Sequence, residues 1–227
     1  NLQVIKSLIS RREQGEPLAY LLEKKGFWNI ELHVNKDVLV PRPETETLIE
    51  EVLNNFGEEQ LYILDAGTGS GAIILALANE RKNWKFFALD KSKEALNVAI
   101  KNMKSLDLKI NFVRANWMAA LKANIFDVIV SNPPYISKHD LCLKEDGVKK
   151  EPLSSLVSES NGMSDLIKVI DSSSFCLRPG GILFIEHAPE QSSKVREHLK
   201  SSKFINLNVF KDLNGDKRIS SGEKISL

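Results

Sequence analysis

The chain has 227 residues, 42% of them hydrophobic and 27% charged, which excludes a disordered polymer and allows one large domain or one domain with a small appendage. A chain this long buries roughly 70% of its extended surface, so a core forms without disulfide or metal staples. Lys and Arg number 31 against 30 Asp and Glu, and that balance gives no broad electrostatic footprint for duplex nucleic acid.

The start, Asn1-Leu2-Gln3, has neither an initiator Met nor a basic-then-apolar leader, and it reads as a cut end with residues expected upstream. Val4, Ile5, Leu8 and Ile9 recur at helical spacing until Gly15-Glu16-Pro17 stops the helix. Ile30, Leu32 and Val34 alternate with polar residues as a strand of a small hairpin. Pro41-Arg42-Pro43 breaks the chain, and an acidic helix follows from Thr45 to Phe56.

From Leu61 the beat changes to strand, turn, helix. Leu61–Asp65, Phe86–Asp90, Ile110–Arg114, Phe126–Ser131 and Gly181–His187 are short apolar runs without alternation, as in parallel strands covered on both faces. Ser92 to Met103 is a helix with Ser92 as its N-cap and Ala95, Leu96, Ala99 and Ile100 on one face. Ile205–Phe210 and Lys224–Leu227 are expected to add two more strands. The longest apolar run, Ala72–Ala78, is far too short to span a bilayer, so no membrane partner is expected. Cys142 and Cys176 show no metal-ligand spacing and fit a reducing compartment, hence the cytoplasm. The pattern is that of an α/β doubly wound sheet, which binds ligands at the carboxyl ends of its strands.

Three of those strand ends carry chemistry. The first runs into Asp65-Ala66-Gly67-Thr68-Gly69-Ser70-Gly71, where three glycines in five positions let the backbone lie close against a ligand. Asp90 ends the second strand nineteen residues past Gly71, placed to accept both hydroxyls of a ribose. The fourth strand ends in Ser131-Asn132-Pro133-Pro134-Tyr135. The Asn132 side-chain carbonyl and the Pro133 carbonyl offer two acceptors for one planar NH2 group, and Tyr135 supplies a flat wall.

These motifs resemble class I methyltransferases that act on sp2 NH2 groups: adenine N6, guanine N2 or glutamine amide nitrogen. Arg11–Tyr20, Val40–Glu46 and Glu151–Leu156 narrow the resemblance to the HemK/PrmC family, which methylates the glutamine of the Gly-Gly-Gln motif in peptide chain release factors. The resemblance implies a Rossmann-like, S-adenosyl-L-methionine-dependent catalytic domain over residues 41–227. Residues 1–40 are then the remnant of an N-terminal helical substrate-binding domain plus a linking hairpin. It implies cofactor contacts from Asp65, Gly67, Thr68, Gly69, Ser70, Gly71, Asp90, Asn116, Trp117 and Asn132. Substrate is assigned to Asn132, Pro133, Pro134 and Tyr135, with Asn132, Pro133 and Tyr135 catalytic and Arg42 and Thr45 shaping the cofactor wall. Asn116 stands where the family often has Asp, and Glu23 where it usually has Gly, at a local turn. The implied partner is a release factor, with no direct sequence-specific nucleic acid. The alternatives are a ribosomal-protein glutamine methyltransferase and an adenine- or guanine-directed enzyme.

Weaker signals read as structure. Asp212, Asn214, Asp216, Ser220 and Glu223 fall at calcium-loop spacing, but Lys217 stands where such a loop needs Gly, so a polar hairpin turn without metal is expected. His33, His139, His187 and His198 are expected to be surface or core histidines without acidic partners. Lys138–Lys150 reads as a solvated loop beside the substrate cleft.

Overall fold

The computed structural model describes residues 2–225, so Asn1 and the end of the expected strand at 226–227 lie outside the described residues. Helices α1 (Leu2–Glu13) and α2 (Leu18–Leu22) lead into an antiparallel hairpin of β1 (Lys24–Phe27) and β2 (Ile30–His33). A 3-10 turn at Pro43–Thr45 then opens α3 (Glu46–Asn55). The strand–helix alternation follows: β3 (Tyr62–Ala66), α4 (Ala72–Glu80), β4 (Lys85–Asp90), α5 (Lys93–Ser105), β5 (Ile110–Arg114) and β6 (Phe126–Ser131). It closes with α6 (Met163–Cys176), β7 (Leu177–Glu186), α7 (Ser192–Ser201), β8 (Phe204–Lys211) and β9 (Lys217–Lys224).

The seven-stranded sheet runs β5-β4-β3-β6-β7-β9-β8, parallel from β5 to β7, with β9 antiparallel to β7 and β8 antiparallel to β9. The first strand of this sheet in chain order, β3, therefore lies inside it, and the crevice between β3 and β6 is the switch point of the doubly wound order. Both faces are covered, as the runs without alternation required. Ile63, Val128 and Phe184 enter one core with α3, α4 and α5. Their strand neighbours Leu64, Ile129 and Leu183 enter the other, with α6 and α7. Each such side chain contributes roughly 1.5–3 kcal/mol by leaving water. The hairpin is not a separate body: Tyr20, Phe27, Leu32 and Val34 share the first core with α4.

Ser92 caps α5 as its spacing implied, its Oγ accepting from the Ala95 amide at 3.1 Å. The last strand departs from expectation, occupying Lys217–Lys224 instead of Lys224–Leu227. Only Ile219 in it is strongly apolar, and Ser220 and Ser221 are buried with it. At Gly222 a Cβ would crowd Leu207 and Phe204. Small side chains are used here for close packing, which leaves no hydrophobic beat to read. The Asp212–Asp216 segment is the β8–β9 turn: the Asp212 Oδ1 accepts from the Asn214 and Asp216 amides at 3.0 and 3.1 Å. Two histidines correct the expectation of no acidic partner. His198 lies 2.9 Å from Asp171, and His33 3.9 Å from Glu23. His187 is a satisfied core group, bonded to the Ser220 hydroxyl and the Ala188 carbonyl. The 138–150 segment is docked, not free. It forms two short 3-10 turns, and the Gly147 amide donates to the Gly15 carbonyl at 2.9 Å.

Glu23 caps the C-terminus of α2 at φ 54°, in the left-handed region that penalises a Cβ. Replacing it by glycine removes that penalty, about 1 kcal/mol. Glu23→Gly is expected to raise the melting temperature by about 2–4 °C, read by calorimetry. A lower value would show that the Glu23 side chain holds the hairpin more firmly than its backbone strains it.

Candidate active site

The glycine loop after β3 is tied down on three sides. The Gly67 and Thr68 amides both donate to the Leu89 carbonyl at 2.9 Å, locking the loop to β4. Asn102, a buried polar residue on the apolar stripe of α5, donates to the Ser70 carbonyl at 2.9 Å. It also exchanges two bonds with the His33 backbone, so loop and hairpin are joined through one side chain. Gly67 sits at φ +82°, and a Cβ there would press on the Trp117 ring at 3.2 Å. Trp117 is itself held, its Nε1 donating to Asp165 at 3.1 Å.

Asp90 ends β4 facing the same loop. Its Oδ2 accepts from the Gly69 amide at 3.0 Å and its Oδ1 from the Ser92 amide at 2.9 Å. A carboxylate has about four lone-pair sites, so two remain for a ligand. Asp65 is placed differently. It is fully buried and outside the cleft lining, with Oδ2 accepting from the Thr68 hydroxyl at 2.6 Å and Oδ1 unpartnered. It supports the loop from beneath, which corrects the expectation of direct contact. Burial pushes its carboxyl up to about 7, with Asp90 adding to the shift and Thr68 opposing it.

A cleft of about 280 Å³ opens over this loop at the carboxyl ends of the strands. Gly67, Thr68, Gly69 and Ser70 line it, with Asp90, Asn116, Trp117, Asn132 and Pro134. Gly71, at the start of α4, does not. A second cavity of about 180 Å³ adjoins it, lined by Pro133 and Tyr135 together with Cys142 and Val148 of the docked segment. Leu39, Arg42, Asn132 and Ser155 belong to both. Asn132 thus stands on the seam.

The Asn132–Tyr135 segment is clamped from behind. The Asn132 Nδ2 donates to the Thr45 Oγ1 at 3.1 Å, which turns the side-chain oxygen away from Thr45. The Tyr135 hydroxyl donates to the Glu186 Oε1 at 3.0 Å, and the Tyr135 carbonyl accepts from the Gln191 Nε2 at 2.9 Å. Burial and the nearby Glu186 charge push the Tyr135 phenol up, so it stays protonated. Gly162, at φ +85°, packs so closely beneath that a Cβ would overlap the Tyr135 carbonyl oxygen. Arg42 reaches the seam from the Pro41–Pro43 turn, its Nη2 bonded to the buried Glu151 at 2.6 Å.

Thr45 and Glu151 lie within the Val40–Glu46 and Glu151–Leu156 segments. Asn102, Glu186 and Gln191 lie outside every motif, though for two of them the sequence carries a signal. Asn102 interrupts an apolar helix face, and Glu186 ends an apolar strand.

Residues 43–146 match the family model described as Methyltransferase small domain. The release factor glutamine methyltransferase of Salmonella typhimurium is 41% identical over 221 residues, covering 97% of this chain and 80% of that protein. The chain belongs to the release factor glutamine methyltransferase family. It is an S-adenosylmethionine-dependent class I methyltransferase by family and fold. Among solved structures, a methyltransferase from Pyrococcus furiosus superposes with TM-score 0.68 at 18% identity, over 96% of this chain and 100% of that one. The T. thermophilus 16S rRNA N2 G1207 methyltransferase, solved in complex with AdoMet and guanosine, gives 0.67 at 21%, over 88% of this chain and 49% of that one. At such identities these likenesses establish the fold. No helix among the described residues is long and apolar enough to cross a membrane.

The buried Asp65 makes a pH prediction for this release factor glutamine methyltransferase family member. Its folded-state carboxyl is raised, so the unfolded chain loses that proton first, and the stability it lends at low pH is lost as pH rises towards 7. Asp65→Asn removes this loss. Without cofactor, the melting temperature of the variant relative to wild type is expected to climb between about pH 4 and about pH 7 and to level off above that. A difference that stays flat over that range would show a carboxyl that titrates as it does in the unfolded chain, hence a well-solvated one.

Proposed function

We propose that the chain transfers a methyl group from S-adenosyl-L-methionine to the side-chain amide nitrogen of the glutamine in the Gly-Gly-Gln motif of peptide chain release factors. The observation that carries this is Asn132 on the seam of two cavities, with its nitrogen committed to Thr45 and its oxygen left to accept.

The first cleft suits the cofactor. Asp90 has lone pairs to spare for ribose hydroxyls, and the missing Cβ at Gly67 keeps the Trp117 face open. We assign Gly67–Gly71 backbone to the methionine half, with Asp65 as support beneath it, and Asn116 with Trp117 to the adenine. When bound, the cofactor supplies an electrophilic sulfonium methyl. Glutamine enters the second cavity against Tyr135, and its NH2 hydrogens are taken by the Asn132 side-chain oxygen and the Pro133 carbonyl. An amide nitrogen is a poor nucleophile because its lone pair is delocalised into the carbonyl. Two fixed acceptors hold the nitrogen in line for attack and stabilise the positive charge that grows on it. The proton leaves to water afterwards.

The substrate is reached across residues 1–40, which we assign to the substrate side because the α1–α2 turn at Gly15 braces the segment walling the second cavity. A release factor as partner and a cytoplasmic location follow from this reading. The near-zero net charge favours it over a nucleic-acid substrate.

Asp90→Ala removes a charged acceptor, so cofactor affinity by calorimetry is expected to fall about 10- to 150-fold. Unchanged affinity would sink the ribose assignment. Asn132→Ala should leave that affinity near wild type and slow methylation of a release factor, followed by mass spectrometry, about 100- to 1,000-fold. A folded Asn132→Ala variant working at the wild-type rate would overturn the mechanism, and methyl transfer to RNA but not to release factor would overturn the substrate.

A further inference from the structure

Trp117 lies on the connection between β5 and β6, where no helix or strand fixes it, and its φ of +52° falls in the left-handed region that penalises a side chain. Such a conformation persists only where surrounding contacts impose it. An indole offers one polar atom, the Nε1 donor, and here it is spent on the Asp165 Oδ1 at 3.1 Å, 48 residues along the chain. The opposite end of the ring lies over Gly67, where a Cβ would press on it. Both ends of the ring are therefore placed, one by a hydrogen bond and one by a missing side chain.

Asp165 stands in the first turn of α6 and has a second task there. Its amide donates to the Ser158 Oγ at 2.9 Å, and the Ser158 hydroxyl donates to the Asp165 Oδ2 at 2.8 Å. That reciprocal pair closes the helix start through one carboxylate oxygen. Oδ1 takes no part in it and accepts from the indole, with the exposed Lys168 Nζ at 3.3 Å on the same atom. The anchor is itself fixed, because Ser158 is buried and its amide donates to the Ile136 carbonyl at 3.0 Å, one residue past Tyr135.

We propose that Asp165 is a positioning residue for the cofactor: its Oδ1 holds the Trp117 indole in the plane it presents to the first cleft, so that the wall stands ready before a ligand arrives. The inference rests on the reading of that cleft as the cofactor site, with Trp117 beside the adenine. A ring ordered beforehand does not have to be immobilised on binding, and that saving appears as affinity.

Asp165→Ala removes the acceptor and keeps the ring. Its Kd for S-adenosylmethionine by calorimetry is expected to rise about 2- to 12-fold, the cost of immobilising one side chain at binding. The Trp117 indole proton, assigned as the one of three tryptophan N–H resonances missing in Trp117→Ala, should move upfield in the same variant. Asp165→Asn keeps an acceptor in the place of Oδ1 and should restore both readouts. Ser158→Ala breaks the helix start but not the indole bond, so it should lower Tm and leave Kd unchanged. In a Trp117→Ala background, Asp165→Ala should weaken the cofactor no further. An unmoved Kd in Asp165→Ala overturns the proposal, as does Asp165→Asn binding as weakly as Asp165→Ala, a Ser158→Ala loss of equal size, or two losses that multiply. Should Asp165→Ala fail to fold, the wild-type protein decides: a Trp117 indole proton that exchanges with solvent as fast as that of free tryptophan removes the bond. Trp117→Ala separates the two failures. If it weakens the cofactor while Asp165→Ala does not, the cleft reading stands and only the positioning role falls. If it does not, the adenine assignment fails first.

Discussion

The carboxamide of Asn132 has two ends that look alike to packing and opposite to hydrogen bonding, and the 3.1 Å bond to Thr45 is what distinguishes them. On the proposed reading, methyl transfer to an amide nitrogen needs acceptors around that nitrogen, and a reversed Asn132 would leave a well-folded and useless pocket. The rest of the carboxyl edge serves to keep this group where it is. The Pro41–Pro43 turn delivers Thr45 and Arg42, Glu151 holds Arg42, and Gln191 and Glu186 hold Tyr135. None of these contacts stabilises much by itself, since a typical intramolecular hydrogen bond nets about 1 kcal/mol. Their value lies in direction.

Much of the fold was legible because a parallel sheet covered on both faces writes its strands as apolar runs, and Ser92, Gly67–Gly71 and Pro133-Pro134 punctuate them with residues of fixed conformational meaning. Ile110–Arg114 and Phe126–Ser131 match the observed strands residue for residue. What failed to show was β9, whose buried Ser220, Ser221 and Gly222 are small where the pattern of strands is sought in large side chains. Helix α6 was equally quiet, with Ser172, Ser173 and Ser174 in its last turns and a glycine, not a polar cap, at its start.

The cleft residues were legible in the same uneven way. Motif residues that face the ligand space could be named from spacing, because strand ends and glycine turns have few places to point. Asp65 was grouped with them by its motif, yet it sits within β3 and turns beneath the loop rather than towards the cleft. Partners contributed from distant chain positions left no local mark. The pairing of Tyr135 with Glu186, or of Ser70 with Asn102, exists only once the sheet is assembled.

Gly162 gives the geometry a further meaning. It lines neither of the two clefts described above, yet its backbone passes so close under the Tyr135 carbonyl that even a methyl group has no room. The freedom of the chain to drift in sequence is therefore limited by clearance as well as by chemistry. The shape of the pocket is inherited in part from an absent side chain on the far side of the segment that forms it.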